Sequence, residues 1–517
     1  MTDTRRGSGI FRTKSVEQAI RDTEEPEFQL KKALGPVQLT VMGIGVLIGT
    51  GVFVLAGEAA ALYSGPAVSL SFLISGVVCA LAALCYAEFA STVPVAGSAY
   101  TFSYASMGEF IAWMIGWDLI LEFTLGAATV AKGWSGYFDS VLGGLGITVP
   151  EAISGGPGSG GVIDLPAVFV ALLMMVVLII GIRLSAWVNA TITSLKLLIV
   201  GAIIVIGAFY VTGSNWTPFI PPSQPADYST DAGVPLLLQI FGIDTGFGLT
   251  GVFTGAALVF FAYLGFDIVA TLSEEVKNPQ RTMPIGILAS LAIATVLYIV
   301  VSLIYTGILP YDQLGVEAPA AAAMAATGVP AAEFVISLGI LIGLTVVIMT
   351  LMLGQTRVAF AMSRDHLLPP ALAKVHPTFR TPYRLTIITG VVAAILGGFL
   401  ELTELGQLVN IGTLAAFVLV SIGVIVLRRT RPDLPRAFKT PFVPVLPIVS
   451  ALACLAVALF LPAGTWIRFI GWMVLGAVVY YFYGRRRSRL VTGESAGGVV
   501  GGSGQTVTRH RDDDTDG

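Results

Sequence analysis

Apolar positions along the 517 residues do not alternate with polar ones over strand-length stretches. They run together in blocks of about 20, the length that crosses ~30 Å of hydrocarbon as a helix. Outer-membrane barrel strands would instead read as alternating segments of about 10 residues. Twelve blocks are expected, roughly at 37–62, 67–92, 108–140, 166–182, 185–211, 249–272, 285–309, 331–360, 383–401, 406–427, 442–461 and 466–483. The third and eighth exceed a bilayer's thickness and should tilt or project from it. The pattern therefore predicts an all-α polytopic membrane protein. Composition agrees: 55% of residues are hydrophobic and 12% charged, against roughly 25% charged in soluble domains. That excludes a soluble enzyme, a disordered chain and a nucleic-acid binder, and makes the lipid bilayer the first partner.

Charge sets the orientation. With the N-terminus in the cytoplasm, 26 of the 29 Lys and Arg fall in inner regions, as the positive-inside rule requires. The exceptions are Lys132, Lys196 and Arg468. Outer loops 141–165 and 212–248 hold no Lys or Arg, but do hold Glu151, Asp164, Asp227, Asp231 and Asp244. Both termini are expected in the cytoplasm of a multi-pass protein of the cell membrane. Residues 1–36 are basic and lack the apolar core of a signal peptide. Ser15 to Leu30 is expected to form a surface helix. The segment 486–517 is Gly/Ser-rich, ends in Asp512-Asp513-Asp514, and reads as a disordered tail. Cys79, Cys85 and Cys454 lie inside apolar blocks, and His366, His376 and His510 outside them. No metal or other cofactor is expected from so sparse a donor set. The pattern carries no signal for an oligomeric state.

Two apolar blocks look interrupted. The first reads Gly43-Ile44-Gly45-Val46-Leu47-Ile48-Gly49-Thr50-Gly51-Val52-Phe53. Each interior glycine costs a helix about 1 kcal/mol relative to alanine. Close packing through small residues explains the run equally well. The sixth block tips the balance: Phe260-Phe261-Ala262-Tyr263-Leu264-Gly265-Phe266-Asp267 puts a glycine beside an acid inside an apolar run. Gly49 lies ~18 Å from one end of its block and Gly265 ~24 Å from the opposite end. Both breaks thus fall near the bilayer midplane, in the first helix of each of two five-helix halves with inverted topology. Paired interrupted segments of this kind point to a transport site. Backbone groups freed in hydrocarbon must meet a cavity or a ligand. The amides of Gly49, Thr50 and Gly51 open a half-helix whose positive end suits a carboxylate. The carbonyls near Leu47, Phe261 and Leu264 suit an ammonium. A zwitterionic α-amino acid carries both groups.

At these residues the chain resembles the amino acid–polyamine–organocation superfamily of permeases, most nearly its cationic amino acid transporter branch and prokaryotic relatives. The resemblance is carried by Ile48-Gly49-Thr50-Gly51-Val52-Phe53, by Tyr86-Ala87-Glu88-Phe89 running into Pro94-Val95-Ala96-Gly97-Ser98-Ala99-Tyr100, and by Gly116-Trp117-Asp118-Leu119-Ile120-Leu121-Glu122. Gly133-Trp134-Ser135-Gly136-Tyr137 adds to it. The strongest match is Ala262-Tyr263-Leu264-Gly265-Phe266-Asp267 followed by Glu274-Glu275-Val276-Lys277-Asn278-Pro279-Gln280-Arg281. It implies a LeuT-type fold with inverted repeats at 37–211 and 249–427, joined by an extracellular loop at 212–248. A loop and two appended helices follow at 428–485. It also implies alternating access.

Lys196 sits ~20 Å deep in the fifth block. An intramembrane lysine is costly and marks function by default; a structural ammonium bonded to helix carbonyls is the plainer reading. The resemblance implies that Lys196 stands where sodium-coupled members bind their ion, and couples transport to protons. Lys132 is expected to snorkel outward. Asp267, with Phe260 and Phe266, is a candidate for gating or pH sensing, or Asp267 simply caps a half-helix. Asp118 and Glu122 share a helix face and are candidates for side-chain selectivity. Tyr263 joins the substrate-binding candidates, although most aromatics at helical spacing only pack. Glu58 is expected near the outer mouth. Glu274, Glu275, Lys277 and Arg281 form either an inner-gate network or a solvated loop. Trp216 and Trp466 read as interface anchors.

The expected function is a secondary transporter of amino acids, coupled to protons. The alternatives are an exchanger, a polyamine carrier, or an amino acid sensor on the same fold. A polyamine has no carboxylate for the Gly49–Gly51 amides. A channel lacks its ring of charges, and an enzyme lacks a nucleophile, metal cluster or nucleotide loop.

Overall fold

Proline, glycine and aspartate set many of the helix ends. In the computed structural model, which describes residues 12–13, 34–93, 98–181, 186–225, 233–243, 245–273 and 276–488, helix α1 (Pro36–Leu47) opens with proline in its first turn after Gly35. Proline there loses no hydrogen bond and is already set to the helical φ. Helices α2 (Val68–Thr92), α3 (Ser98–Ser106) and α4 (Glu109–Gly144) follow. Helix α5 (Leu165–Ile180) starts at Asp164, whose side chain accepts the Ala167 amide, and stops at Gly181 with φ +80°. Next come α6 (Ala186–Ala208), α7 (Gly248–Val259), α8 (Phe266–Thr271) and α9 (Pro279–Ile308). The remainder is α10 (Pro319–Ala326), α11 (Ala332–Arg364), α12 (Tyr383–Phe399), α13 (Leu402–Thr430), α14 (Val445–Ala458) and α15 (Ala463–Val479).

Among the described residues, eight helical runs are long and apolar enough to cross a membrane. Helices α1, α5, α12 and α14 are apolar but shorter. The chain is thus a polytopic helical membrane protein. The expected helix over Ser15–Leu30, the tail beyond 488, and Glu274 and Glu275 lie outside the described residues.

Helices α4 and α11 run side by side through the molecule; α9 packs on α1 and α2, α12 on α5, and α13 on α4 and α14. Leu34 bridges in parallel to Val276, and the Lys277 amide donates to the Leu34 carbonyl at 2.8 Å. The chain entering α1 is thereby tied to the chain leaving α8. Glu88, from the Tyr86–Phe89 motif, is buried in α2 and receives two bonds from Arg428 at 2.8 and 2.7 Å. It also takes the Thr440 amide at 2.7 Å, so it fastens α2 to the end of α13. Helix α15 attaches through indoles: Trp117 and Trp472 stack at 4.5 Å, and Trp113 donates to the Gly476 carbonyl at 2.8 Å.

Candidate functional site

The glycine-rich stretch of the first block is not one helix. Helix α1 stops at Leu47, and Ile48 is extended at φ −72°, ψ 96°. Helical structure resumes as a π-turn over Gly51–Leu55 and continues through Ala56–Ala59 to Ser64. In the sixth block α7 tightens into a 3₁₀ turn over Phe260–Tyr263, Leu264 is extended, and Gly265 takes φ +125° before α8 begins. The two interruptions touch. A Cβ on Gly51 would lie 2.3 Å from Cα of Ala262, and one on Gly265 would lie 2.5 Å from Cγ1 of Val46. Each glycine makes room for the other segment, and Gly265 also supplies a backbone angle that side-chain-bearing residues rarely adopt.

A helix end leaves four carbonyls without partners inside the helix. At the end of α1, the Ile44 carbonyl takes the Ile48 amide at 2.9 Å. The Lys196 ammonium, from α6, donates to the Gly45 carbonyl at 2.6 Å and the Ile48 carbonyl at 3.1 Å. The Leu47 carbonyl takes the Tyr298 hydroxyl, from α9, at 2.6 Å. That same hydroxyl lies 2.8 Å from the Ala262 carbonyl in the second break. The Phe261 carbonyl takes the Leu264 amide at 3.0 Å. Asn410, from α13, donates to the Ala257 and Leu258 carbonyls at 2.7 and 2.9 Å. The Gly265 amide donates to Oδ1 of Asp267 at 3.2 Å, so Asp267 caps the start of α8. A lysine inside an apolar block announces itself in a sequence, which is why Lys196 stood out. Sequence reasoning missed Tyr298 and Asn410. An asparagine inside the tenth block was a usable signal; a tyrosine among many was not.

A narrow cavity lies between the breaks, lined by Leu47, Gly49, Thr50, Gly51, Phe261 and Leu264. All six were candidates from the sequence. Val46, Val130, Val347 and Leu351 complete the lining and were not foreseen; the last three come from α4 and α11, which reach the breaks only in the packed molecule. The gap amounts to about 260 Å³ counting its mouth, with interior room for about one water. The Thr50 hydroxyl is fully buried and has no hydrogen-bond partner among the described residues.

The other candidates lie elsewhere. Tyr263 is absent from the lining, and its hydroxyl donates to the Phe72 carbonyl at 2.7 Å. Phe260 and Phe266 pack on Phe417 of α13, with ring centres 5.9 and 4.9 Å apart. Asp118 and Glu122 are buried in α4 and do not line the cavity. Asp118 faces α13, where a Cβ on Gly412 would meet its Oδ1 at 2.6 Å. The buried Glu122 carboxylate lies beside the Thr413 side chain of α13. Glu58 accepts the Thr403 hydroxyl. The Trp216 indole donates to Thr306 at 3.3 Å and that of Trp466 to the Ala458 carbonyl at 3.0 Å.

Lys132 does not reach for solvent as expected. Its ammonium is buried 3.1 Å from the Asp164 carboxylate, which also accepts the Ser135 hydroxyl at 2.6 Å. A nearby buried carboxylate offers a stronger field than a long route to water. Burial pushes the Asp164 carboxyl up, opposed chiefly by Lys132.

A model of the amino acid permease family matches residues 34–479. The methylthioribose transporter of Bacillus subtilis (strain 168) is 45% identical over 485 residues, covering 93% of this chain and 99% of the relative. The branched-chain amino acid permease BcaP of the same organism is 46% identical over 486 residues, with the same coverage. The vacuolar cationic amino acid transporter 4 of Arabidopsis thaliana is 36% identical over 427 residues, covering 82% of this chain and 68% of the relative.

Proposed function

The chain belongs to the amino acid permease family, and on that premise we propose that it is a proton-coupled secondary transporter of α-amino acids with apolar side chains. The observation that carries this reading is the cavity between the two breaks. Residues of both interrupted segments line it, and its lining is apolar apart from Thr50 and the glycines: Val46, Leu47, Val130, Phe261, Leu264, Val347 and Leu351. The start of the Gly51 half-helix would take the carboxylate, and carbonyls near Leu47 the ammonium. No carboxylate lines the cavity to meet a cationic side chain; Glu122 and Asp118 stand off from it. The likeness to a branched-chain permease points the same way.

In this reading helices 1–5 and 6–10 are inverted repeats with two helices appended, and both termini are cytoplasmic. Substrate reaches the site from each side in turn. Lys196, bonded to the last carbonyls of α1, exchanges the proton, and Asp267 responds at the second break. Phe260 and Phe266 set the packing against α13 that yields as the site opens. A second reading takes the substrate as a thioether sugar, after the methylthioribose relative. The buried Thr50 hydroxyl favours it, since sugar hydroxyls need polar partners.

The test is uptake by purified protein in liposomes, with labelled leucine, alanine, arginine and methylthioribose, under a pH gradient and separately under a sodium gradient. Leucine uptake driven by the pH gradient is expected, with arginine at background. Arginine uptake would refute the apolar-substrate reading, and sodium-driven uptake the proposed role of Lys196. Methylthioribose uptake without leucine uptake would establish the second reading.

A further inference from the structure

The backbone of each break is held by a donor from a distant helix: Lys196 at the first and Asn410 at the second. Tyr298 differs from both. Its hydroxyl lies 2.6 Å from the Leu47 carbonyl and 2.8 Å from the Ala262 carbonyl, one in each break. Both distances are within the range for an O–H···O bond. A phenol has one proton to donate, so the two carbonyls share it. The ring is fully buried and wedged between Phe72 and Tyr263, each 5.4 Å away centre to centre. Tyr298 does not line the cavity; Leu47 does.

We propose that Tyr298 is a positioning residue: its hydroxyl ties the Leu47 and Ala262 carbonyls together, so that both breaks respond as one unit to the substrate's ammonium. This rests on the amino acid reading above. When an ammonium donates to the Leu47 carbonyl, the phenol keeps its proton and its hydrogen bond shifts toward the Ala262 carbonyl, so occupancy at the first break tightens the second. The bond also fixes the direction of the Leu47 carbonyl before substrate arrives. A substrate analogue without an ammonium gains nothing from that direction.

Tyr298→Phe keeps the ring and removes only the hydroxyl. Tyr305→Phe is the control, seven residues along the same helix, because the Tyr305 hydroxyl is buried with no hydrogen-bond partner among the described residues. Two readouts separate positioning from general damage. In hydrogen exchange of the purified protein, Tyr298→Phe is expected to speed exchange over both 44–53 and 260–268, while Tyr305→Phe changes neither. In liposomes, Tyr298→Phe is expected to raise KM for leucine about tenfold at near-normal maximal rate. The inhibition constant of 2-hydroxyisocaproate, which shares leucine's carboxylate and side chain but has no ammonium, should stay unchanged. Faster exchange in one break alone, or equal losses for leucine and the hydroxy acid, would overturn the proposal. Should Tyr298→Phe not fold, leucine added to the native protein must slow exchange in both breaks in parallel; protection of the first alone overturns it. A native protein that takes up no amino acid refutes the amino acid reading, while exchange in the variant still decides the tie between the breaks.

Discussion

Gly49 and Gly51 occupy one motif but face different surroundings, and replacing each by alanine should give different results. At Gly51 the new Cβ would lie 2.3 Å from Cα, 2.4 Å from Cβ and 2.8 Å from N of Ala262. Ordinary contact begins at 3.4 Å, so the breaks must separate by about 1 Å. The obstacle is largely backbone and cannot rotate aside. Overpacking of this kind costs about 1–3 kcal/mol, and alanine's better helix propensity returns only about 0.5–1 kcal/mol. A net loss of about 1–2 kcal/mol is expected. Function should suffer more than stability, because a site loosened by about 1 Å no longer fits its ligand. At Gly49 the nearest atoms to a new Cβ are Cγ1 and Cγ2 of Val347 at 3.7 Å, an ordinary contact. Thermal unfolding in detergent and initial leucine uptake in liposomes measure both effects. Gly51→Ala should lower Tm by about 1–2 °C and cut uptake at least tenfold, with Gly49→Ala near native in stability. Native uptake by Gly51→Ala, or equal damage from both variants, would refute the close approach of the two breaks.

Lys196→Met should abolish uptake driven by a pH gradient while counterflow exchange persists. Its Tm should move little, since losing two bonds to carbonyls is offset by relief of a buried ammonium; lost counterflow would make Lys196 purely structural. Asn410→Leu leaves the Ala257 and Leu258 carbonyls without that donor, at about 1–3 kcal/mol each, and should lower Tm without altering the dependence of uptake on pH.

The sequence alone determined the class of fold and the position of the two breaks. Both are local properties. A helix must satisfy its backbone within about 20 apolar residues to cross lipid, and a glycine run or a glycine beside an acid weakens it wherever it sits. Lys196 was legible for the same reason, since a cation in an apolar block has few explanations. Only the tertiary structure decided which side chains serve the breaks. Tyr298 and Asn410 lie 251 and 152 residues along the chain from carbonyls they hold, and no spacing rule connects them. Tyr263 belonged to the right motif but turns to Phe72, because a helix places neighbouring residues on different faces. Val130, Val347 and Leu351 reach the cavity from α4 and α11, two helices whose pairing depends on the whole bundle. Lys132 was expected at the water surface and instead found Asp164, since a buried charge settles on whichever partner packing brings within reach.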